Sequence, residues 1–172
     1  MLWSGMPAAA ARVPLELREV ARNADGLSLS VRLPDSLPEE LQAQLKAGAR
    51  VQVTFEAQVE KPRTFWFDAE LARRLVELSV SRHAESGVFT LERRVDGKLE
   101  DAFEVRELEE AERFLTQLSL DVPLAARHAG KRMRYKVRAV LQQKLKLLFV
   151  PTTVKSKWQR GRVPEPEPEP AS

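Results

Sequence analysis

The chain has 172 residues, 43% of them hydrophobic and 31% charged, with a net charge of +3 at pH 7; that is enough for one domain with a core, plus tails. The absence of cysteine excludes disulfides, thiolate metal sites and a cysteine nucleophile. No apolar run approaches the ~18 residues of a membrane-crossing helix, and a pI near 9.4 suits an anionic partner without requiring one.

Residues 1–12 are apolar and small, Met1 to Ala11 followed by Arg12. They read as the end of an apolar region with an Ala-x-Ala cleavage pattern, the remnant of an export signal, or as a plain tail. A single β-rich domain is expected over 13–162. Leu15 and Leu17, then Leu27, Leu29, Val31 and Leu33, alternate with polar residues around Asn23–Gly26, which predicts a hairpin with Gly26 at positive φ. Ser36-Leu-Pro-Glu39 has the capping-box pattern, Leu37, Leu41 and Leu45 form a stripe, and Gly48 supplies a stop; together they predict a helix over 37–47. Val51, Val53, Phe55, Ala57 and Val59 alternate with polar residues as a strand with one dry face.

A turn over 68–72 and a strand over 73–83 follow, the latter for its β-branched residues. Ser86-Gly87 marks a turn. Asp96-Gly97 marks a two-residue hairpin between Phe89–Val95 and Leu99–Val105. Glu107–Leu118 reads as a helix with Leu108, Ala111, Leu115 and Leu118 on one face and acids near its N-terminus. Met133 to Leu141 alternates as a strand whose outer positions are Arg132, Arg134, Lys136 and Arg138. Leu145–Val150 is another apolar segment, and Thr153, Val154 and Trp158 suggest a last edge strand. Residues 163–172 alternate Pro and Glu and are expected to form a disordered, polyproline-like tail that folding does not need. Hairpin connections without β-α-β alternation predict a mainly β fold: an antiparallel sandwich or strongly curved sheet with two short helices.

Several of these features, in this order, form a pattern. A first hairpin is followed by the Ser-x-Pro-Glu-Glu-Leu helix at Ser36–Leu41, the end at Gly48 and the alternating strand Val51–Val59. Then come Arg63-Thr-Phe-Trp66-Phe-Asp68, a Leu-rich acidic helix, the strand from Tyr135 to Leu141, and Ser156-Lys-Trp158. The pattern resembles a bacterial family known as domain of unknown function 4390, over about residues 13–160. The resemblance implies a bacterial, exported protein and carries no assigned chemistry. The segment after Trp66-Phe67-Asp68 is poorer in Tyr than the family pattern.

Charge is segregated along the chain. Val122–Pro164 holds twelve Lys/Arg and no Asp or Glu, whereas Glu100–Asp121 is dominated by acids. Such separation either pairs inside the fold or makes a patch for a partner. The row Arg132, Arg134, Lys136 and Arg138 advances about 6.6 Å per alternate residue, a step that also suits a polyanion. Pairing within the fold is expected to dominate, with carboxylates from Glu100, Glu104 and Glu107–Glu112, since consecutive segments are often neighbours. Nucleic acid is disfavoured because Tyr135 falls on the opposite face from the charges, and single strands need aromatics among them.

Arg63, Trp66 and Asp68 are the ligand-binding candidates. Either they form a notch with a guanidinium stacked on Trp66, or Trp66 is core and Asp68 closes a strand-end corner with Arg63. The histidines, His83 and His128, are both expected in exposed loops and too few for a metal site. No nucleophile elbow, phosphate loop, dinucleotide fingerprint or zinc pattern occurs, so neither a catalytic residue nor a metal or cofactor is expected. These readings point to a non-enzymatic binding or structural module of the bacterial envelope, exported or periplasmic, with a cytoplasmic location as the alternative. Its partner would be a protein or an anionic surface polymer. A small-molecule carrier or enzyme with a cleft near Trp66 is the alternative, and a nucleic-acid binder the third. Oligomeric state stays open.

Overall fold

The computed structural model describes residues 13–33, 37–63, 68–125, 128, 132–144 and 151–165. Among them are ten strands and two helices: β1 (Glu16–Arg22), β2 (Gly26–Arg32), α1 (Glu39–Lys46), β3 (Val51–Lys61), β4 (Ala69–Arg82), β5 (Phe89–Val95), β6 (Lys98–Val105), α2 (Leu108–Thr116), β7 (Gln117–Pro123), β8 (Arg134–Lys144), β9 (Pro151–Lys155) and β10 (Gln159–Arg162). Every pairing between them is antiparallel. Three strands form a small sheet in the order β1-β2-β7. The others form a long sheet, β10-β8-β3-β4-β5-β6, with β9 also on β8. Among the described residues the architecture is mainly β, with two helices and no closed barrel, and its antiparallel strands follow the alternating apolar positions.

The core lies on one face of each sheet. Val53, Phe55, Ala57 and Val59 of β3 stand opposite Leu141, Ala139, Val137 and Tyr135 of β8, while β4 adds Leu78 and Val76. The small sheet contributes Leu27, Leu29, Val31, Leu118, Leu120 and Val122, and the helices contribute Leu41, Leu45, Ala111 and Leu115. All belong to one buried cluster. Each fully buried Leu, Val or Phe is worth about 1.5–3 kcal/mol, which is what orients both sheets.

Four local readings need correction. The fourth strand starts at Ala69, paired with Lys61; ladder bonds to β3 override the weak β propensity of residues 69–72. The second helix stops at Thr116, and residues 117–123 form β7, where Leu118, Leu120 and Val122 alternate with polar residues and pair with β2. The final edge strand is two strands, β9 and β10. Gly26 is absent from the positive-φ residues, unlike Gly48 (φ +82) and the Asp96-Gly97 turn (φ +49 and +82). A Cβ at Gly26 would fall 2.3 Å from the Val122 carbonyl oxygen, so its lack of a side chain is what lets β2 lie against β7. The proposed cap residue Ser36, the segment Leu145–Val150 and the stretch 1–12 lie outside the described residues. Val163 still belongs to the folded part: its N–H donates to the Met133 carbonyl at 3.1 Å.

The two sheets meet at the free edge of β7. Arg74 Nε donates to the Asp121 carbonyl at 2.9 Å, and Arg93 Nη2 donates to the Ser119 carbonyl at 3.3 Å. Two guanidinium groups from β4 and β5 thus satisfy edge carbonyls that would otherwise invite another strand. The opposite edge, β6, is exposed almost throughout. Its Phe103 meets Phe114 of α2 edge to face at 5.5 Å.

Candidate functional site

The outer face of the long sheet carries a charge cluster built by strand register. On β3, Glu56, Gln58 and Glu60 point outward. Opposite them on β8 stand Arg138, Lys136 and Arg134. The next strand, β10, places Arg160 opposite Lys136 and Arg162 opposite Arg134. Paired residues share a face, so three columns lie side by side, one acidic and two basic. On the far flank Glu70 of β4 stands opposite Glu60.

Glu56 is the centre of the cluster. Its side chain is only 6% exposed, and its carboxylate is fully engaged. Oε2 accepts from Arg138 Nε at 2.9 Å and from Arg138 Nη2 at 2.6 Å. Oε1 accepts from Gln58 Nε2 at 2.7 Å and lies 2.8 Å from Arg73 Nη2. Burial alone would raise its pKa. The bonds and charge of Arg138, with Arg73 and Gln58 behind them, outweigh burial and hold it below its ordinary value. Beside it, Lys136 pairs with Glu60.

Trp158 covers this pairing. Its ring lies 4.3 Å from the Arg138 guanidinium carbon and 5.1 Å from Lys136 Nζ, close enough for cation–π attraction. The ring is placed by a break between β9 and β10. Lys155 is opposite Val140 and Gln159 opposite Val137, so three residues on the edge face two on β8, which is a β-bulge. Ser156 holds the bulge: its N–H donates to the Ala139 carbonyl at 2.9 Å, and its hydroxyl accepts from the Ala139 N–H at 2.9 Å. Past the bulge, Gly161 lies across Tyr135, where a Cβ would come 2.3 Å from the phenol oxygen. That close approach seats β10, and with it Arg160 and Arg162.

The basic row is therefore divided. Lys136 and Arg138 are half-buried and paired, but with β3. Glu100 pairs instead with Arg93 at 3.0 Å, and three strands separate β6 from β8. The neighbour rule fails because β8 crosses back to pair with β3, on the side of the sheet away from β6. Arg132 and Arg134 are exposed and have no salt bridge among the described residues. The aromatic that Tyr135 could not supply on the charged face is supplied by Trp158. Sequence spacing hid both Trp158 and the second basic column, since neither the bulge nor the β8–β10 pairing has a local signal.

The other candidates are less converged. Arg63 and Asp68 are exposed, and the Arg63 N–H donates to Asp68 Oδ1 at 3.3 Å, tying the two ends of the β3–β4 connection. Trp66 lies outside the described residues. His83 is exposed, with Nε2 2.8 Å from the Thr90 hydroxyl. His128, expected in an exposed loop, is buried at 8% exposure, because the segment leaving β7 stays on the core: Leu124 is buried and its N–H donates to the Asp25 carbonyl. Among the described residues, no three His, Asp or Glu converge as a metal-binding group, and no helix is long and apolar enough to cross a membrane.

The family model for a domain of unknown function, DUF4390, matches residues 10–159. The chain belongs to the DUF4390 family. That match takes in the β3 and β8 columns and Trp158 and leaves Arg160 and Arg162 of this DUF4390 chain just beyond its end. No curated protein and no solved structure matches the chain.

Proposed function

We propose that this DUF4390 domain is a non-enzymatic binding module of the bacterial envelope whose β8–β10 face holds an anionic partner, a protein or a surface polymer. One observation carries the reading: Arg162 stands opposite Arg134 and Arg160 opposite Lys136. Like charges directly opposite on adjacent strands are destabilising by a few tenths of a kcal/mol up to about 1. Glu56 and Glu60 are already spent on Arg138, Arg73 and Lys136. Three guanidinium groups, on Arg134, Arg160 and Arg162, remain exposed on one face without a counter-charge among the described residues. An anionic partner would relieve that repulsion. The export-like character of residues 1–12 supports an envelope location, since an exported domain meets anionic lipids and polymers there.

The test is co-sedimentation with phosphatidylglycerol vesicles and retention on heparin, each across a salt series. The wild-type domain should bind both, with affinity falling as salt rises. Arg134→Gln/Arg160→Gln/Arg162→Gln should lose most of that binding while keeping the fold. Equal behaviour of wild type and triple variant on both supports would refute the reading.

A further inference from the structure

We infer that the anion this face takes is a charged glycan, with Trp158 as the platform for a sugar ring. The inference rests on the cationic-face reading above and names the chemistry of its ligand. Phosphate chains and lipid headgroups need only cations. Here the cations come with an indole ring in contact with Arg138 and Lys136. The ring is positioned by backbone, through the Ser156 bulge, rather than by a loose loop. It is half-buried, while its neighbours Lys157 and Arg160 are exposed.

Arg138 and Lys136 lie over the indole ring, which is half-buried rather than enclosed. The electron-rich face of an aromatic ring attracts positively polarised edges, and the C–H groups along one side of a sugar ring are such an edge. Trp158, Arg160 and Arg162 follow one another at alternate positions of the same edge, about 6.6 Å per step. A ligand with rings and anionic groups along its length would rest a ring on Trp158 and its anions on Arg160 and Arg162, with Arg134 beside them. Arg134 and Arg162 are a bare guanidinium pair suited to sulfate, phosphate or carboxylate groups. A ring that served only to shield the Glu56–Arg138 pair from water would favour no one polyanion over another.

The experiment measures equilibrium binding of the full chain to three labelled probes at one ionic strength: a heparin octasaccharide, a linear polyphosphate of matched charge and an oligothymidylate. Wild type, Trp158→Phe, Trp158→Leu and Arg160→Gln/Arg162→Gln are compared, with far-UV circular dichroism to confirm folding. The octasaccharide should bind wild type more tightly than polyphosphate. Trp158→Leu should weaken the octasaccharide roughly tenfold, equivalent to about 1.4 kcal/mol, and change polyphosphate by less than about twofold. Trp158→Phe, which keeps an aromatic face if the leucine variant misfolds, should retain most of the preference. The double arginine variant should weaken both. Equal losses for octasaccharide and polyphosphate, or no loss, would overturn the glycan assignment while leaving the cationic face standing. A Trp158 effect confined to oligothymidylate would replace it with base stacking. If wild type binds none of the three, the cationic-face reading itself fails.

Discussion

At Glu56, burial and pairing act in opposite directions, and the pairing wins. A carboxylate whose folded-state pKa lies below its ordinary 4.5 contributes stability that is complete above pH 4.5 and drains as pH falls through the lower, folded value. Melting temperature should therefore drop steeply with acidification below pH 4.5 in wild type and less steeply in Glu56→Gln. At pH 7 that variant should cost about 1–3 kcal/mol, since Arg138 loses its acceptor. Arg73, 52% exposed, recovers its share from water and adds little. Gly26 and Gly161 make the reverse point, that an absent side chain is also a contact. Gly26→Ala must push against a backbone carbonyl, and Gly161→Ala against a buried phenol. Each should lower stability by about 1–3 kcal/mol, as overpacking does, read by chemical denaturation.

At the scale of the element, β10 sets stability against the proposed use. Arg162→Glu turns a like-charge cross-strand pair into an opposite one, so the variant should gain up to about 1 kcal/mol while losing heparin retention. A variant that lost both would show that Arg162 is anchored by something other than its strand partner. Strands whose periodicity is local are legible in the sequence itself: β3 from Val51–Val59, the β5–β6 hairpin from Asp96-Gly97, β8 from Met133–Leu141. The β7 alternation was equally clear, but a strong helix pattern ran into it, and Leu118 fits either period. The candidate site was half legible. The β8 row is visible in the sequence, yet its partners on β3, its neighbours on β10 and the ring above it depend on which strand lies beside which. No window of residues records that.

At the scale of the molecule, two sheets share one core, and the corner between them is closed by arginine rather than by apolar packing alone. Replacing Arg74 with Met keeps an unbranched apolar stem and removes both its bond to the Asp121 carbonyl and its pair with Asp96 at 2.7 Å. Amide hydrogen exchange should then speed up in β7 more than in β3, because only the corner has been loosened. Equal acceleration throughout would mean the two sheets open as one unit.

The small sheet also has a history in time. Ser28 and Asp121, bonded across β2 and β7, are 93 residues apart along the chain. During synthesis the first hairpin is finished long before the strand that completes its sheet. Until β7 arrives, the β2 edge at Leu27, Leu29 and Val31 has no ladder partner, and joining ends that far apart makes assembly slow, on the order of milliseconds to seconds. Order of birth and order of completion run opposite ways in this fold, so the nascent hairpin is where an unfinished copy would stick to its neighbours.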